Sequence, residues 1–62
     1  MIVEDIYRVT SQAQNVDIYR ISSLKTKFFV FTGVCSDIPL DFLDIPVSQV
    51  DAVDNTLAIM IK

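Results

Sequence analysis

The chain has no His and no Trp, and only one Gly, one Cys and two Pro among its 62 residues. Each shortage removes a class of function. General acid–base chemistry at neutral pH loses its commonest side chain. The common zinc patterns, built from Cys and His, are absent. One Gly cannot build a glycine-rich phosphate loop. A lone Cys35 closes no intramolecular disulfide, which excludes the disulfide-stapled secreted class. Its place in the apolar run FFVFTGVC marks it as a small buried hydrophobe rather than a reactive thiol. The longest stretch without a charge is Phe28–Ser36, nine residues, against the roughly 20 needed to cross a bilayer. Glu4, Asp5 and Arg8 break any early apolar run of the signal-peptide kind.

The remaining candidates for chemistry are carboxylates and hydroxyls. Asp41 with Asp44, and Asp51 with Asp54, are the nearest acid pairs. Three-residue spacing on strands or turns puts two carboxylates on no reliable common face, so these read as turn and surface residues. Ser22, Ser23, Ser36 and Ser48 have no base beside them, and the late Asp residues lack the tight oxygen spacing and turn Gly of a calcium loop. A chain this short has little room for a ligand pocket. The expectation is a protein with no catalytic residues, no cofactor and no metal site, kept off the membrane and located in the cytoplasm.

What is present is apolar. Hydrophobic residues make up 52% of the chain, which offsets the small size of a domain that buries only about 60% of its unfolded surface. Small scaffolds without disulfides or metals often gain stability by oligomerising, so self-association is expected. Net charge is −3, unevenly spread: residues 1–31 hold four basic and three acidic residues, residues 32–62 one basic and five acidic. That is too little positive charge for a long phosphate track.

The chain is organised around a near-repeat. Asp5–Ser11 reads DIYRVTS and Asp17–Ser23 reads DIYRISS, identical at five of seven positions. Both copies are rich in β-branched and aromatic residues, and Gln12–Asn15 between them is turn-like. The pattern predicts a β-hairpin in which Val9 faces Ile18 and Ile6 faces Ile21. The spacing of Ile2, Ile6, Val9 and Ala13 supports a short N-terminal helix as the competing reading. Lys27–Cys35 follows as the most hydrophobic strand, apolar on both faces, with Gly33 marking a bulge or bend. Leu40–Val47 reads as a strand at a sheet edge, because Pro46 cannot donate to a ladder. Ser48–Val53 and Thr56–Lys62 form a hairpin around Asp54-Asn55, with Val50 facing Ile59, Ala52 facing Leu57, and Ser48, Val50, Ala52, Leu57, Ile59 and Ile61 on an inner face.

The predicted fold is one all-β domain over residues 1–62: a five-stranded bent sheet or small barrel of the SH3-like or Sm-like kind, built from hairpins. Read as a complete chain from Met1 with no linker, the protein works by occupying a partner, either another protein or itself. Small accessory and inhibitor proteins of viral or mobile-element origin share this size and lack of chemistry. The candidate surface is Tyr7, Arg8, Tyr19 and Arg20, residue types enriched at protein–protein hot spots. An open edge, at the segment ending in Pro46 or at Thr56–Lys62, offers a second route. The alternative is a single-stranded nucleic-acid-binding barrel in which Tyr7 and Tyr19 stack on bases while Arg8, Arg20, Lys25 and Lys27 meet phosphates.

Overall fold

In the computed structural model, which describes Met1–Lys62, one helix and four strands follow in the order α1 (Val3–Val9), β1 (Asn15–Ile21), β2 (Lys27–Val34), β3 (Val47–Val53) and β4 (Thr56–Ile61). Two 3-10 turns, Cys35–Asp37 and Leu40–Phe42, lie between β2 and β3. The sheet is mixed and open, in the order β2-β1-β4-β3. β1 runs antiparallel to β2, parallel to β4, and β4 antiparallel to β3. The fold is therefore small and β-rich, with four strands rather than five and two free edges rather than a closed barrel.

The first copy of the repeat is not a strand. Val3–Val9 is helical, so no hairpin joins the two copies, and the competing reading from helical spacing holds. Its start is fixed from three sides. The Ile2 amide donates to Asp5 Oδ2 at 2.9 Å, and acidic Glu4 and Asp5 occupy the first turn, where the helix dipole favours them. The Val3 and Glu4 amides, orphans at any helix start, donate to the carbonyls of Ile45 and Leu43 at 3.0 Å. Thr10 Oγ1 donates to the Ile6 carbonyl at the other end.

α1 lays Val3 and Ile6 against Val16 and Ile18 of β1 and Ile59 and Ile61 of β4, with Cys35 and Ile38 completing the core and Tyr7 packed at its margin. Ile18 and Ile59, partners across the parallel pair, are both 0% exposed. Val9, expected to face Ile18, is 84% exposed on the outer side of the helix.

The second hairpin is as the alternation predicts: Val50 pairs with Ile59 and Ala52 with Leu57. Asp54 and Asn55 both take positive φ, 49° and 65°, the pair of values that matches the twist of two antiparallel strands. A register shift between Val47 and Gln49 leaves Ser48 unpaired and lets Val47 oppose Ile61, so Ser48 drops out of the inner set. Of that set only the β4 residues are covered, because β3 lies at the sheet edge and is exposed from Ser48 onward. Residues 40–46 form a 3-10 turn and a loop rather than a strand, and Pro46 contributes a single bridge to Ile2. β4, expected as an open edge, is interior.

β2 is an edge strand. Its irregularity falls opposite Ile18/Tyr19, where Ile18 pairs with Phe31 and Tyr19 with Phe29, so Val30 is the extra residue and Gly33 stays in register with Val16. The bulge reverses the alternation, setting Phe29 on the uncovered face with Tyr19 and Phe31 on the core face with Ile18. Gly33 serves a packing role instead of a bend: a Cβ there would stand 3.2 Å from Phe31 Cζ, so the absent side chain makes room for that ring.

Ile59→Ala should cost about 2–5 kcal/mol of unfolding free energy, and Val9→Ala less than about 0.5 kcal/mol. Urea titrations followed by circular dichroism measure both, and equal losses would contradict this core.

Candidate interaction surface

The two Tyr/Arg pairs are separated by the fold. Tyr7 and Arg8 ride on α1, Tyr7 half-buried against the core and Arg8 exposed. Tyr19 and Arg20 sit at the end of β1, and Tyr19 points to the face opposite the helix because it follows Ile18 on the strand. Tyr19 is only 6% exposed. The Phe29 ring covers it at 5.7 Å between centroids, tilted by 42°, and Lys27 Nζ lies 4.9 Å from its centroid. Arg20 is exposed and opposes Phe28.

The structure gathers a different set at the same end of the sheet. β1 pairs with β4 only as far as Tyr19, whereas β1 and β2 continue to the pair Ile21–Lys27 and turn through Ser22–Thr26. This hairpin arm projects past its neighbours. Its turn is tied by its own groups. The Ser22 amide donates to the Thr26 carbonyl at 2.9 Å, the Lys25 amide to the Ser22 carbonyl at 2.9 Å, and Ser22 Oγ accepts from the Leu24 and Thr26 amides at 3.2 Å each. Lys25 takes the left-handed conformation, φ 62°, that a three-residue hairpin loop requires.

The arm is apolar and basic. Leu24 is 86% exposed, Phe29 58% and Phe28 53%, with Ile21 and Val30 also exposed. From Asp17 to Asp37 no acidic residue intervenes, and Arg20, Lys25 and Lys27 give that interval +3. Since the chain as a whole carries −3, the remainder carries −6. The exposed aromatic surface thus lies in the one strongly basic stretch of the chain. Sequence reasoning singled out the tyrosines, allowed one face of the Phe-rich strand as an interface, and passed over Leu24. The available signal was a strand apolar on both faces inside an acid-free interval.

Elsewhere the surface is unremarkable in shape. The molecule has no pocket and gathers no group of three or more His, Cys, Asp or Glu side chains, and no helix is long and apolar enough to cross a membrane. Cys35 is buried under α1, 1% exposed, with its sulfur 4.0 Å from the Tyr7 carbonyl. Burial raises the thiol pKa above its ordinary value of 9.0. Compared with known protein families, curated proteins and solved structures, the chain has no match.

The thiol predicts an alkaline trend. A folded pKa raised above the unfolded one means the native state holds the proton longer, so stability is full below pH 9 and falls as pH rises from there toward the raised folded value. Denaturant titrations across that interval should show the decline in the native chain and lose this component in Cys35→Ala. An identical slope in both would show that Cys35 does not contribute.

Proposed function

We propose that the chain is a non-enzymatic cytoplasmic binding protein that modulates or inhibits a larger protein, working as a homo-oligomer and docking through its β1–β2 arm. The observation that carries this reading is the projecting hairpin, where Ile21, Leu24 and Phe28 stand exposed among Arg20, Lys25 and Lys27. A leucine left in water at the tip of a well-bonded turn, with an exposed ring on the strand behind it, has little value for the fold of the free chain. Together they suit a partner surface that is apolar at its centre and acidic at its rim, with the cations steering the approach. Tyr7 and Arg8 on the helix lie on another element and are outside this contact.

Phe28 and Phe29 beside three cations also favour a second reading, stacking on single-stranded nucleic acid. The charge balance weighs against it. Three phosphate contacts give a shallow salt dependence, and the −6 on the rest of a molecule with a longest extent of 33 Å sits within a few Debye lengths of the same polyanion.

Affinity capture from the native cell extract, with and without nuclease, separates the two. The expected result is a protein partner that survives nuclease and is lost in Leu24→Asp, with affinity down by about 30-fold or more if Leu24 is a hot spot and the far-ultraviolet spectrum unchanged. Partners lost on nuclease treatment, together with direct oligonucleotide binding abolished by Arg20→Ala/Lys27→Ala, would replace this reading with the nucleic-acid one.

A further inference from the structure

The hydrogen-bond parity of β2 identifies what fits along its outer side. The Ser22–Thr26 bond at one end of the hairpin and the bond from the Cys35 amide to the Gln14 carbonyl at the other fix which pairs point inward. Counting in twos along the register, Phe28 faces Arg20 and Gly33 faces Val16 through backbone bonds, with Val30 and Phe31 together against Ile18. The backbone groups of Lys27, Phe29, Thr32 and Val34 therefore point away from β1, and no strand lies on that side.

In an unbroken strand the outward residues share one parity. Here the bulge switches it, odd before Val30 and even after Phe31. Those two halves are complementary to each other in reverse order: Lys27 with Val34, and Phe29 with Thr32. We infer that β2 pairs antiparallel with β2 of a second copy, the two-fold axis passing between Val30 and Phe31, to give a dimer with one continuous eight-stranded sheet. This rests on the reading of the chain as a self-associating binding protein, and it names the contact.

Side chains and charge agree with the pairing. The exposed Phe29 rests beside Thr32 of the second copy on the open face, and Phe28 falls opposite the second copy's Gly33, beside the Phe31 ring that lies over that glycine. Lys27, the one charged residue of β2, comes opposite Val34 of the second copy, so the pairing sets no like charges against each other. An antiparallel arrangement sends the two arm tips in opposite directions and leaves Leu24 free at both ends. The other edge is less suited. The Met1 carbonyl already accepts from the Val47 amide at 2.9 Å, and the residues from Ser48 onward carry a bulge and Asp51.

Analytical ultracentrifugation of the full chain at tens of micromolar should give a dimer. Two variants should give folded monomers: Phe29→Lys, which places a charge at the seam, and Thr32→Pro, which removes an outward amide the monomer does not use. Spin labels at Lys27→Cys in a Cys35→Ala background should report a single inter-copy separation of about 20 Å, set by seven strand residues. A monomeric native chain, a dimer indifferent to both variants, or a markedly different separation would each overturn the inference. A monomer that still captures its partner through Leu24 would overturn the dimer and leave the binding function standing. A dimer that captures nothing would do the reverse.

Discussion

A seven-residue helix is about 10 Å long, and four strands side by side put their outer axes about 14 Å apart. One such helix cannot roof the whole sheet, and this limit shapes the molecule. α1 and the loop carrying Cys35 and Ile38 cover the centre, where Val16, Ile18, Ile59 and Ile61 meet Val3 and Ile6. Burial stops at β1 and β4. The outer strands β2 and β3 keep their hydrophobic residues partly in water, and the Phe-rich strand lies at an edge. A core of this size sits near the lower limit for an independently stable domain, which makes surface shared with another chain valuable to the fold itself.

The sequence DIYR adopts two conformations in one chain. At Asp5–Arg8 it is helical and at Asp17–Arg20 it is extended. Its own propensities decide nothing, since Tyr and Ile tolerate both states at small cost. Surroundings decide. The first copy lies in a helix whose leading amides, Val3 and Glu4, find acceptors in Ile45 and Leu43 and whose first turn is acidic, and the second has a strand on each side. Ile6 is buried in one and Ile18 in the other, so the repeat preserves which residue enters the core while changing the backbone that delivers it.

The parts of the fold legible in the sequence were those set by local chemistry. Asp54-Asn55 between alternating runs determined the β3–β4 turn and register, and Cys35 in an apolar run went to the core. The parts that escaped depend on distant partners. Nothing near Thr56–Lys62 reveals that β4 is claimed on both sides, and nothing near Val30 reveals that β2 gains a residue there. The exposed apolar arm escaped for the same reason. Tyr19 has the composition of a hot spot, yet Phe29 and Lys27 fold over it, while Phe28 and Leu24 look like core residues and end outside because no element reaches them.

The parallel pairing of β1 with β4 also governs how the chain reaches this state. Ile18 and Ile59 meet across on the order of forty intervening residues, and closing such a loop costs about 3 kcal/mol of chain entropy beyond a fixed term. The two hairpins on either side need only short closures, on the microsecond scale of isolated hairpins. Loop entropy thus favours closing the two ribbons first and the β1–β4 seam last, with α1 consolidating once Val16, Ile18, Ile59 and Ile61 present a common face. Until that seam closes, β1 and β4 are themselves open edges. The interval before docking is when the unfinished chain is most exposed to pairing with the wrong strand.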